Sequence, residues 1–181
     1  EEVALIGDNG STYTGLMYIP SNATNDTPAP ALLTIMGASG NARNHEVYAV
    51  EYARRGFIVL SVDNAGSGDA TYDTSVEDTF RINVPELFWN YLMECPIVDK
   101  ERTVVSGHSV GSTGALHLAA RYNPTVCVPI DGYAGIYPSS DELYYTGMIC
   151  AVTGDSDAQN TDERLTPLAD LFRLDERVTI D

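Results

Sequence analysis

The pentapeptide Gly107-His108-Ser109-Val110-Gly111 follows the apolar run Thr103-Val104-Val105 and precedes a stretch of small and apolar residues from Ser112 to Ala120. A serine with a glycine two residues to either side, between a strand and a helix, forms a turn tight enough to strain its own backbone. Only glycine leaves room there for the neighbouring strand and helix to close on each other. The pattern therefore dictates strand, sharp turn and helix in that order. It also lifts the Ser109 hydroxyl clear of the sheet, open to a base on one side and to backbone N–H donors on the other. Ser109 is thereby a candidate nucleophile.

The rest of the chain repeats the strand and helix alternation. Tyr13 to Ile19 alternates in polarity and reads as an antiparallel strand, with Val3 to Ile6 as its partner. Ala31 to Met36 and Phe57 to Val62 are continuous apolar runs, as expected of strands buried on both faces. Between them, Ala42 to Arg55 has helical spacing, with Val47, Val50 and Ala53 inward and Gly56 as the terminating glycine. Ser75 to about Met93 reads as a helix with Phe80, Val84, Leu87, Phe88 and Tyr91 on one side, and Pro85 implies a kink or a break in it. Val126 to Ile130 and Met148 to Val152 read as further strands, Thr161 to Leu174 as a helix and Arg177 to Ile180 as one more strand. Such alternation predicts an α/β fold: a mostly parallel central sheet with helices on both faces, preceded by N-terminal antiparallel strands.

Residues 1–181 are expected to form one domain, since that length supplies a sufficient apolar core. The net charge is −16 and Lys100 is the one lysine, a balance that repels phosphate backbones and anionic lipid. Nucleic acid is therefore not an expected partner. No apolar run reaches membrane-spanning length. The acidic, lysine-poor composition leans towards a secreted or extracytoplasmic setting. Asn9, Asn22 and Asn25 each begin a glycosylation sequon in loop-like sequence. Cys127 and Cys150 fall on apolar runs expected to be neighbouring strands. A bridge between them fits, but two buried thiols are preferred. No spacing resembles a zinc site or a calcium loop, so neither metal nor cofactor is expected.

With these residues in view, the chain resembles the α/β hydrolases, and within them the lidless dienelactone-hydrolase and cutinase-like polyesterase branch. The likeness is carried by Met36-Gly37-Ala38-Ser39-Gly40, by Arg55 to Asp63, by Gly107 to Gly111 and by Thr153-Gly154-Asp155-Ser156-Asp157. The resemblance implies that Ser109 is the nucleophile and Asp157 the acid, with Asp155 and Asp131 as alternative acids. It implies an oxyanion hole from the backbone N–H groups of Ala38 and Val110. Many relatives carry His-Gly in place of Met36-Gly37, and polyesterases often carry tyrosine in place of Ala38. Backbone donors survive either change, whereas aromatic stacking at position 38 does not. Tyr133 stands where polyesterases place an aromatic against substrate.

In that family the triad runs serine, acid, histidine along the chain, yet none of the three histidines follows Asp157. His108 lies inside the Gly107–Gly111 turn, His117 is expected to pack against the sheet, and His45 opens a helix. Each is read as structural. In similar proteins the catalytic histidine follows the last strand, so the base is expected just beyond Asp181, in a longer hydrolase of which this is an incomplete view. The implied activity is cleavage of small-molecule or polymeric carboxylic esters through an acyl-enzyme on Ser109. The alternatives are a non-catalytic binding module that has lost its base, and a peptidase or amidase of the same fold.

Overall fold

The computed structural model of the chain describes residues 1–8, 10–38, 40–64, 68–70, 83–131 and 145–152. Its strands are β1 (Glu2–Ile6), β2 (Thr12–Tyr18), β3 (Ala29–Ile35), β4 (Ile58–Val62), β5 (Val98–His108), β6 (Val126–Ile130) and β7 (Met148–Ile149). Its helices are α1 (Glu46–Arg54), introduced by a 3-10 turn at Ala42–His45, then α2 (Val84–Glu94) and α3 (Val110–Tyr122). Among the described residues the strands form one seven-stranded sheet in the order β1-β2-β4-β3-β5-β6-β7. As expected, β1 and β2 pair antiparallel and β2 meets β4 antiparallel, while β4, β3, β5, β6 and β7 run parallel.

Apolar content and connection handedness explain the layers. Every residue of β4 and all but one of β3 is buried, which demands cover on both faces. From β3 the chain steps one way in the sheet to β4, then returns to place β5 on the other side of β3. Right-handed crossovers consequently put α1 on one face and α3 on the opposite one. Leu32, Val59 and Ala49 form the smaller core under α1. Leu33, Ile35, Val105, Phe88, Leu92, Leu116 and Cys127 belong to the larger core, which also holds residues of α2 and α3.

Several expectations need correction. β5 begins at Val98, five residues before Thr103, and α3 begins directly after Ser109. Val47 is 75% exposed, because the buried line of α1 runs through Ala49. Pro85 sits in the first turn of α2, where a missing N–H is harmless, and whether the chain kinks or breaks before it falls outside the described residues. Residues 71–82, the N-terminal part of the expected helix, lie outside the described residues, as do Thr161 to Leu174 and Arg177 to Ile180. All three cysteines are free. The Cys150 N–H donates to the Cys127 carbonyl at 2.8 Å, but Cys127 pairs in register with Ile149. Successive side chains alternate between faces, so Cys127 is buried while Cys150 is exposed. Burial pushes the Cys127 thiol up, into an inert neutral form.

Candidate active site

Two strands whose helices lie on opposite faces leave a crevice beyond their carboxyl ends, the position where open α/β sheets bind ligands. Here those strands are β3 and β5, paired from Ala31↔Thr103 to Ile35↔Gly107. Met36-Gly37-Ala38 follows the first, and Ser109 follows the second. A Cβ built on Gly37 would lie 3.3 Å from the Ser109 Cβ, so the two strand ends are in contact.

Ser109 has φ 53° and ψ −119°, a left-handed backbone in a serine. Such a conformation costs about 1–3 kcal/mol and persists only where the surroundings enforce it. The Ser109 N–H donates to the Ile130 carbonyl at 2.9 Å, and its carbonyl accepts from the Ser112 N–H at 3.0 Å and from the Ser112 hydroxyl. The flanking glycines have no substitute. A Cβ on Gly107 would fall 2.0 Å from the Gly111 carbonyl oxygen, and one on Gly111 would fall 2.3 Å from that of Ile35. The structure thus builds the turn that the spacing dictated.

Val110 opens α3, where the first backbone N–H groups have no helical partner and carry the positive end of the helix dipole. Ala38 is exposed, on the turn after β3. Gly37 to Gly40 is closed by the Gly40 N–H on the Gly37 carbonyl at 3.0 Å. Asp131 directly follows β6 with φ 45°, and its N–H donates to the Val152 carbonyl at 2.8 Å. Asp155, Asp157 and Tyr133 lie outside the described residues.

Each of the three histidines has a polar neighbour other than the Ser109 hydroxyl. His108 Nε2 lies 3.9 Å from Asp131 Oδ2, with both side chains partly exposed. His45 stands at the start of α1 with Nδ1 3.4 Å from the Thr34 hydroxyl and its ring edge-on to Tyr48. Burial, and then the charge on His108, hold its pKa below the ordinary histidine value. His117 does not pack on the sheet as expected. Its Nε2 meets Glu86 Oε1 at 2.8 Å, and the Arg121 Nε reaches the same oxygen at 2.9 Å, tying α3 to α2. No group of three or more His, Cys, Asp or Glu side chains among the described residues has the geometry to hold a metal ion.

Asp63 and Asn64, at the end of β4, were legible in the sequence only as part of a turn. The structure buries both, at 8% and 6% exposure, against the loop that carries Ala38. Two polar residues closing a wholly buried strand were the signal available.

No protein-family model and no curated protein matches the chain. Solved structures do. A dienelactone hydrolase-like promiscuous phosphotriesterase from metagenomic libraries superposes with a TM-score of 0.74 at 19% identity, over 96% of this chain and 76% of its own. An esterase of Pyrococcus furiosus gives 0.70 at 12% identity, over 96% and 77%. The α/β hydrolase GrgF of Penicillium sp. sh18 gives 0.59 at 17% identity, over 74% of this chain but 46% of its own, so this chain spans less than half the length of that protein. The fold is that of the α/β hydrolases. No described helix is long and apolar enough to cross a membrane.

Proposed function

We propose that the protein is a serine hydrolase that cleaves carboxylic esters through an acyl-enzyme on Ser109. One observation carries the reading: the strained, glycine-flanked Ser109 lies at the carboxyl end of β5, in contact with the end of β3 at the crevice of an α/β-hydrolase sheet. The names of structural neighbours, an esterase and a phosphotriesterase among them, point to ester bonds.

In this mechanism the Ser109 oxygen attacks the ester carbonyl while its proton passes to an imidazole. The developing oxyanion is received by the N–H groups of Ala38 and Val110. Collapse expels the alcohol, which takes the proton back, and water then releases the acid by the same steps. Asp157 orients and stabilises the imidazole, and Tyr133 packs against the acyl or alcohol part. No hydrogen bond joins the Ser109 hydroxyl to His45, His108 or His117 among the described residues, so the proposal assigns the base to none of these three.

The test is labelling of the full-length gene product with a fluorophosphonate probe, followed by peptide mapping. Modification at Ser109, abolished by Ser109→Ala, supports the reading, as does a histidine encoded shortly after Asp181. A full-length protein that leaves Ser109 unlabelled overturns it. The absence, among the described residues, of a hydrogen bond from the Ser109 hydroxyl to any of the three histidines supports a second reading, a non-catalytic binding module on the same fold. That reading requires no histidine in the encoded continuation and no turnover of any ester.

A further inference from the structure

The Asp63-Asn64 pair grips the loop after β3 at each of its ends. The Asn64 side-chain amide donates to the Gly37 carbonyl at 2.7 Å in a buried contact, and the Asn64 backbone N–H donates to the Gly40 carbonyl at 3.0 Å. Asp63 Oδ1 accepts from the Ala42 N–H at 2.6 Å, and Oδ2 accepts from the Thr14 hydroxyl. The Ser61 hydroxyl adds a bond to the Ala42 carbonyl at 3.0 Å. Two buried polar side chains are thus spent on one short turn, where an apolar strand end would pack at lower desolvation cost.

The consequence follows from peptide geometry. The Gly37 carbonyl and the Ala38 N–H belong to one planar trans unit, in which C=O and N–H point in opposite directions. Fixing the carbonyl oxygen between Asn64 Nδ2 and the Gly40 N–H therefore fixes the line along which the Ala38 N–H is aimed, away from Asn64. Without the amide, one bond from Gly40 would hold a peptide that begins at glycine and rotates readily.

We infer that Asn64 is a positioning residue, whose amide sets the direction of the Ala38 N–H through the peptide they share. Asp63 anchors the same loop at Ala42. The inference rests on the reading of Ala38 as an oxyanion donor, and it deepens that reading. A donor held in place before the reaction needs no reorganisation as charge develops, so Asn64 acts on the transition state more than on substrate binding.

The test compares wild type, Asn64→Leu and Asn64→Asp in the full-length gene product. It measures kcat and KM on p-nitrophenyl acetate, the rate of fluorophosphonate acylation, the thermal midpoint, and the 15N order parameter of the Ala38 amide. Asn64→Leu is expected to lower kcat and acylation about 10- to 100-fold, less than the loss of a whole oxyanion donor, with KM changed less than about twofold. Asn64→Asp keeps the shape but turns a second acceptor towards the Gly37 carbonyl. Its loss should be comparable at neutral pH and shrink in acid, where the protonated carboxyl can donate. If Asn64→Leu does not fold, Asn64→Asp and its recovery in acid decide the matter. Wild-type acylation in a folded variant, or a loss confined to KM, overturns the inference. Should wild type itself remain unlabelled, the hydrolase reading falls, and the Ala38 amide decides separately: wild-type order in Asn64→Leu sinks the clamp, and increased mobility sustains it.

Discussion

Ser109 occupies a backbone conformation that glycine adopts without steric cost, so the protein carries strain at the atom on which the proposed chemistry depends. Ser109→Gly should therefore raise stability by about 1 kcal/mol, the relieved strain less the added entropy of glycine in the unfolded chain. It should also remove all fluorophosphonate labelling. Urea unfolding of the two proteins measures the first effect, and a variant no more stable than wild type would show that the turn is unstrained. His45 gives a second expectation at this scale. Its folded pKa is depressed below 6.5 by burial and by His108, so the folded state binds that proton less well than the unfolded chain does. Stability from this source is complete above about pH 6.5 and declines as pH falls towards the folded pKa. His45→Gln should flatten the decline between about pH 7.5 and about pH 5.5, read from urea midpoints; an unaltered slope would assign the decline to other groups. Ser109 was legible because its constraint is local, two glycines at fixed offsets. Asn64 was not, because its partner Gly37 lies 27 residues away and becomes a neighbour only once β3 and β4 pair.

At the scale of elements, the strands were read more faithfully than the helices. Continuous apolar runs such as those of β3, β4 and β6 have a single way to be buried, whereas a helix between two strands leaves several faces available. In α1, the spacing of Val47, Val50 and Ala53 suggested a buried face, yet the sheet takes the neighbouring line through Ala49 and leaves Val47, Tyr48 and Tyr52 in water. The low apolar contrast of this helix gave no way to choose between adjacent faces. In α2 the contrast is greater and the outcome is testable. Leu92 is 0% exposed in the main core, whereas Tyr91, read on one side of the helix with Val84 and Phe88, is 37% exposed. Leu92→Ala should cost about 3 kcal/mol through lost burial and the cavity left behind. Tyr91→Ala should cost well under about 1 kcal/mol. Chemical denaturation of both variants checks the difference, and comparable losses would mean that α2 is rotated about its axis. His117 belongs to the same lesson. Its place on α3 was correct, but Glu86 draws it towards α2 across a separation of 31 residues.

For the whole molecule, the return of the chain from β4 to β5 places the crevice, and it does so without reference to any side chain in it. The sequence order of apolar runs implied a parallel sheet but left the order of strands within it undetermined, because that order depends on which edges meet. Charge acts at this scale too. The chain has 26 acidic against 10 basic side chains, so even complete pairing of every Lys and Arg leaves most carboxylates facing like charges. Salt then has two opposed effects. It weakens the exposed pairs Arg43–Glu2, Arg54–Glu51, Arg55–Glu51 and Arg102–Asp99, whose attraction water already screens. It also screens a self-repulsion summed over the unmatched acids, which destabilises the compact state. Unmatched acids outnumber the paired ones, so the second effect should win. The melting temperature of the full-length protein should rise by several degrees between about 10 mM and about 0.5 M sodium chloride. Calorimetry at the two concentrations checks the sign, and a fall with added salt would show that the few exposed ion pairs outweigh the net charge.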